Sequence, residues 1–405
     1  MTTTDCKKRP NKSNRAFALQ ITVSVTLICV SLILFASISG AGPANSRSQG
    51  VVRSQGELTS FTAQGSENEA ALDFANARPL LPLAPGGPTE MVPSLQDFGT
   101  PGFSAGARGN AQINPLTLPL SAISDQDGEM DEPLGPDEYG TGHQPFSTAR
   151  ADLLTLATNT QYPYRASGKL YFQKPDNTTF VCSASMIKRG LVVTAAHCVA
   201  DYGQSTYYHN FRFYPGYRSG AAPFGNQTVY QVWIKTAYYN GTDNCAQFGV
   251  VCPDDVAVLI LNTQSGAYVG TQTGWYGYGY NGFGFTNGVT HITQIGYPEC
   301  LDNGTLMERN DSQGFVSGSN SSNTIIGSLM CGGSSGGPWL NNFGIRPALT
   351  GTGNGTASNP NIVVGVTSWG YINNAVKQQG ASPFTSTNIV SLVTSACNSR
   401  PAACQ

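Results

Sequence analysis

Three polar residues of this chain have neighbours that suit them to acid–base or nucleophilic chemistry. His197 closes the apolar run VVTAAHCVA (Val192–Ala200) and is one of four histidines among 405 residues. A histidine there serves as a hydrogen-bonded core residue, a metal ligand or a general base. Ser335 lies in CGGSSGGPWL (Cys331–Leu340), where flanking glycines let the backbone turn sharply and aim amide N–H groups at one spot. Gly333, Ser335 and Gly337 also match the G-x-S-x-G pattern of a strand-to-helix nucleophile turn, but in that arrangement the histidine follows the serine. Here His143, His197, His209 and His291 all precede Ser335, so a Ser–His–acid set must draw its base from upstream.

The acid should lie between them at the end of a strand. CPDDVAVLIL (Cys252–Leu261) supplies Asp254 and Asp255 directly before six apolar residues. A carboxylate entering so apolar a run needs a partner, because burying it unpaired is expensive. Asp255, nearer the strand, is the first candidate and Asp254 the alternative. His209 and His291 lack carboxylate or cysteine neighbours at metal-ligand spacing, and His143 sits in a polar stretch, so neither a metal nor a cofactor is expected.

These residues need elements to hold them. Beyond Thr158, runs such as KLYF, GLVVTAA, TVYQVWI, VAVLIL, HITQIGY and NIVVGVTSW alternate with Gly, Asn and Pro turns, and all four tryptophans lie here. That texture predicts an all-β antiparallel barrel or sandwich. Ile389, Leu392 and Val393 share one helical face, so a short C-terminal helix is expected. In GWYGYGYNGFGF the interleaved aromatics read as strand and turn packing, with a sugar-stacking surface as the alternative.

VVTAAHC, DDVAVLIL, GSSGGP and GVTSWG together resemble the signature segments of the chymotrypsin/trypsin-like serine proteases. YPYRASGKL, GTQTGWYGYGYN, ITQIGYP and VVGVTSWGYINN are most similar to the glutamyl-endopeptidase-like branch, best known from bacteria. The match covers roughly residues 158–395. It implies two antiparallel six-stranded β-barrels and a peptide-cleaving site in the cleft between them. By the same resemblance His197, Asp255 and Ser335 form the triad, and the N–H groups of Gly333 and Ser335 the oxyanion hole. Cys182 and Cys198 resemble the family's disulfide around the histidine; Cys300–Cys331, Cys245–Cys252 and Cys397–Cys404 are the expected remaining pairs. Ser368 resembles the serine that supports the aspartate, and Ser368, Trp369 and Gly370 the strand that pairs with extended substrate.

The departures from the family pattern matter as much. Ser334 stands where trypsin-type enzymes carry the aspartate that binds a new N-terminus, so that switch is absent. Leu329 replaces the aspartate that reads basic side chains, and Thr367 replaces the histidine of glutamyl endopeptidases. A neutral pocket near Leu329, Met330 and Thr367 is expected, favouring an apolar or small uncharged residue before the scissile bond. An esterase on the same barrels, and a catalytically inactive cell-surface binding glycoprotein, are the alternative functions.

The N-terminal third has a different character. Residues 1–15 are basic, and 16–39 hold the uncharged run Ala16–Ile38. At about 1.5 Å per helical residue this spans a hydrocarbon core of roughly 30 Å. It reads as a signal peptide or a signal-anchor, giving a secreted protein or a type II cell-surface one attached through residues 16–38. Residues 40–150 are rich in Gly, Pro, Ser and Ala, with an acidic run at Ser124–Gly140, and read as a disordered stalk or pro-segment whose removal, after Arg150, activates the domain at 158–405. Eight cysteines beyond residue 40 suit an oxidising compartment. Sequons at Asn177, Asn226, Asn240, Asn303, Asn310, Asn320 and Asn354 agree with that route. The net charge of -2 offers no footprint for nucleic acid, so protein or peptide substrates are the expected partners.

Overall fold

The computed structural model describes residues 50–64, 68–94, 98–113, 115–117, 144–152, 157–346 and 357–405. Short runs of β-branched and aromatic residues between turn-forming ones become strands because such side chains fill a pleated, half-buried surface. Six of them close one barrel in the order Gln227–Lys235, His209–Pro215, Ser167–Gln173, Thr179–Lys188, Leu191–Thr194 and Ala257–Leu261, the last pairing back to the first. Six more close a second: Pro338–Asn341, Val289–Gly296, Glu308–Ser317, Asn323–Gly327, Gln378–Ala381 and Ile362–Tyr371, again returning to the first. Closure leaves each barrel with an apolar interior; Phe211, Phe213 and Val232 fill one, Ile292, Ile326 and Trp339 the other.

A helix, Ser391–Ser399, continues from a π-helical turn at Ser386–Val390, and together they bury Ile389, Leu392 and Val393 as their spacing predicts. Thr385 caps the turn: its hydroxyl accepts from Asn388 N–H, while Asn388 Oδ1 accepts from Thr385 N–H. The aromatic–glycine stretch contributes the strand Gly277–Tyr280, with Tyr276 fully buried beside it.

The stalk expected over residues 40–150 is not disordered where it is described. Gly50–Gln55 and Leu58–Ala63 form a hairpin that adds to Gln227–Lys235. Arg78–Pro79 pairs with the strand Thr179–Lys188, Leu83–Ala84 with Ile362–Tyr371, Gly102–Ser104 with Gly277–Tyr280, and Phe146–Arg150 with Glu308–Ser317. The physical reason is that these pieces need no core of their own. They take main-chain hydrogen bonds from stretches of strand whose second side is left without a barrel partner, and bury a few apolar side chains, such as Leu58, Phe61, Leu72 and Ala84, in existing surfaces. Residues 1–49, which contain the basic and apolar N-terminal stretches, the acidic run, His143 and Asn354 lie outside the described residues. Among the described residues no helix is long and apolar enough to cross a membrane.

Candidate active site

Register brings the histidine and the aspartate together. Thr194 pairs with Ala257 at the end of the antiparallel ladder between Leu191–Thr194 and Ala257–Leu261, so the chain leaving one strand faces the chain entering the other. His197, three residues past Thr194, therefore meets Asp255, two residues before Ala257. A single short helical turn, Ala196–Cys198, holds the histidine, and the Cys182–Cys198 disulfide ties that turn to the neighbouring strand.

Asp255 is almost fully buried, and its oxygens are well supplied with donors. Oδ1 accepts from His197 N–H (2.8 Å); Oδ2 accepts from His197 Nδ1–H (2.8 Å) and from the Ser368 hydroxyl (2.5 Å). Three charge-assisted bonds offset the desolvation of a carboxylate. They also fix the ring so that its other nitrogen, Nε2, points away from the aspartate. Asp254 has another role: its N–H donates to Asp243 Oδ2. Burial, with Asp254 adding to it, pushes the Asp243 carboxyl up to about 7.

Ser335 is placed by backbone. Its carbonyl accepts from Ser183 N–H of the first barrel (2.7 Å), and the next residue, Gly336, donates to Thr367 O (2.7 Å) with φ at +75°. A side chain at Gly336 would collide with Thr194 Oγ1 and Ser183 O, so only glycine fits between the barrels there. Thr194 is three residues from His197, which sets the serine loop against the histidine turn. Ser335 Oγ and His197 Nε2 are both buried, and neither has a hydrogen-bond partner. Unpartnered buried polar atoms are costly and uncommon, so each of the two calls for a partner.

Gly333, at φ +93°, donates its N–H to Leu80 O (3.1 Å) of the N-terminal segment. Ser334 Oγ donates to Cys331 O (2.7 Å) and accepts from Gln379, so the position before Ser335 is neutral and hydrogen-bonded. Of the residues expected to line the pocket, Met330 is buried and Leu329 half-buried, its N–H donating to Thr148 Oγ1 (3.3 Å). The Thr367 hydroxyl is not a pocket donor: it is held inside the barrel by Trp339 Nε1 (2.9 Å) and Gln294 Nε2 (2.8 Å). The Trp369 indole also faces inward, donating to Asn323 Oδ1 (2.7 Å), which leaves the backbone of Ser368–Gly370 to the cleft.

The residue that sequence reading missed is Ser183. Its N–H, its hydroxyl donating to Gly333 O (2.8 Å) and its hydroxyl accepting from Tyr297 N–H (3.0 Å) lock the serine loop onto the first barrel. The only signal for it is its place next to Cys182. Lys169 was also unforeseen: burial pushes its ammonium down to about 7, and it donates to Gly304 O (2.9 Å) amid the rings of Tyr171, Tyr217 and Tyr297.

All four cysteine pairs named above are formed: Cys182–Cys198, Cys245–Cys252, Cys300–Cys331 and Cys397–Cys404. Among the described residues two clusters have metal-like composition, Cys182/His197/Cys198 and Asp243/Cys245/Cys252, but their sulfurs are bonded to each other and offer no thiolate. Among the sequons, Asn177, Asn240 and Asn303 are exposed and Asn226 and Asn320 half-buried. Asn310 is wholly buried with its amide donating to Gly327 O (2.9 Å), so this fold leaves no room for a glycan there.

Residues 156–390, more than half of the chain, match the family model described as Trypsin. A curated relative, the extracellular metalloprotease of Bacillus subtilis (strain 168), is 27% identical over 139 residues, 33% of this chain; the chain spans 40% of that relative's length. Among solved structures, the protease Anisep from Arthrobacter nicotinovorans is 25% identical, covering 59% of this chain and 95% of its own, at TM-score 0.45. A Glu endopeptidase bound to MPD is 17% identical, covering 62% and 95%, at TM-score 0.42.

Proposed function

The chain belongs to the trypsin family, and from that premise we propose that it is a serine endopeptidase whose triad is His197, Asp255 and Ser335. The observation that carries this reading is the set of bonds holding His197 through Nδ1 and its own N–H, with Nε2 and Ser335 Oγ both buried and left unpartnered. Ser335 attacks a peptide carbonyl while His197 Nε2 takes its proton and later gives it to the departing amine. Asp255, steadied by Ser368, keeps the proton of the neutral ring on Nδ1 and stabilises the imidazolium. The N–H groups of Gly333 and Ser335 receive the oxyanion, each worth on the order of 3 kcal/mol in the transition state.

The neutral Leu329 and Met330, which lead into the serine loop, support an apolar or small uncharged residue before the broken bond. Four disulfides and several exposed sequons support a secretory route, with delivery to the cell surface or the exterior depending on the fate of residues 16–38.

A fluorophosphonate probe tests the reading. After the N-terminal segment has been removed by limited proteolysis, the chain should label at Ser335, and Ser335→Ala should not. Absence of label on the folded domain would return the protein to the class of non-catalytic binding glycoproteins.

A further inference from the structure

The cleft between the barrels already holds a stretch of the same chain, the apolar segment RPLLPLA at residues 78–84. Arg78 and Pro79 lie along Phe180 and Val181 of the first barrel. Leu80 N–H then donates to Val181 O (3.1 Å), and Leu80 O accepts from Gly333 N–H (3.1 Å), one of the two oxyanion donors named above. Pro82 O accepts from Gly370 N–H (2.9 Å), and Ala84 O from Ile372 N–H (3.0 Å). Leu81 and Leu83 lie over Gly370, where a substrate backbone would pass. Beneath this cover Ser335 is fully inaccessible and His197 nearly so.

The direction of the segment explains why it is not a substrate. His197 belongs to the first barrel and hands its proton to the departing amine. A peptide placed for cleavage must therefore send its amine-side residues toward the first barrel and lay its acyl-side residues along Ser368–Gly370. Residues 78–84 run the other way, in parallel register with both strands, so the amide after Leu80 heads for the second barrel and away from the imidazole.

Both ends of the segment are tied down. Upstream, Tyr214 Oη donates to Glu69 Oε1 (2.7 Å) and Asp73 N–H to Thr179 Oγ1 (3.0 Å). Downstream, Thr89 N–H donates to Gln378 Oε1 (2.8 Å), and the Thr89 and Tyr371 hydroxyls are bonded at 2.6 Å.

We propose that residues 78–84 are an intramolecular inhibitor, threaded through the substrate cleft backwards, and that the site opens to peptides only when this strap leaves. The proposal rests on the triad reading given above and adds to it how the site is kept closed.

The test uses the full chain, with Leu81→Asp/Leu83→Asp and the surface variant Leu83→Asp. The double variant should label with fluorophosphonate at least tenfold faster than the intact wild type, and the single variant at an intermediate rate. Equal rates for all three would overturn the proposal. Amide exchange in the wild type decides independently of whether the variants fold. Gly333 and Gly370 N–H should be strongly protected, and exchange at open-loop rates would mean that the strap is not seated. If the double variant frees those amides yet no form labels at Ser335, the catalytic reading fails while the occupancy of the cleft stands.

Discussion

The two sides of the site are held by different means. On the histidine side, side chains do the holding: Asp255 bonds the ring and the backbone of His197, and Ser368 bonds Asp255. On the serine side the main chain carries most of it, through Ser183 N–H to Ser335 O, Gly336 N–H to Thr367 O and a left-handed turn that admits only glycine, with the Ser183 and Ser334 hydroxyls adding to it. The first arrangement should be sensitive to what a side chain can donate or accept. The second should be sensitive to the space around the backbone.

Replacing the atom that both sides serve should have the largest effect. Ser335→Ala should lower kcat about 10⁶-fold in a peptide-cleavage assay of the opened enzyme, with the fold unchanged by circular dichroism. On the histidine side, Asp255→Asn keeps the shape but reverses one hydrogen bond, and should lower kcat about 10⁴-fold at neutral pH. If the loss is under tenfold, side chains are not what holds the ring.

The backbone side is probed by Gly336→Ala, which meets Thr194 and Ser183 at a positive φ. It should cost about 4 kcal/mol of stability in urea denaturation; a neutral result would remove the contrast between the sides. Ser368→Ala deletes one of Asp255's three donors and should lower kcat about tenfold with KM unchanged, since the other two bonds remain.

The smallest effect concerns Asp243, on the histidine side, whose carboxyl is raised from 3.8 to about 7. The folded protein then binds more protons than the unfolded chain between about pH 4 and 7. Its contribution to stability is therefore complete below pH 4 and is lost as the pH rises through 7. Asp243→Asn should flatten that part of the stability profile in denaturation curves taken from pH 4 to 7.

The residues of the proposed site stand out in the sequence because their chemistry demands particular neighbours. An aspartate before VAVLIL and a serine among four glycines are local statements, and the order of His197 and Ser335 along the chain excludes one arrangement outright. The barrels were readable from short β-branched runs, and the C-terminal helix from the spacing of Ile389, Leu392 and Val393. The role of Ser183 was not, because its N–H and hydroxyl act across the barrels on residues about 150 positions away. Nor was the docking of the described pieces between residues 50 and 113. Strands of two or three residues, such as Arg78–Pro79 and Leu83–Ala84, carry no periodicity, and their bonds come from main-chain atoms that every residue shares. The clustered leucines of RPLLPLA, unusual in a stretch rich in Gly, Pro, Ser and Ala, were the one local sign.

The attachments of that segment on both sides of the cleft bear on timing. A single break in the chain after residue 89 and before the first barrel leaves every one of its bonds to the barrels intact, so the severed piece stays seated as a non-covalent subunit. Activity should then emerge after a lag set by unimolecular dissociation, its length the same at every enzyme concentration and shortened by mild denaturant.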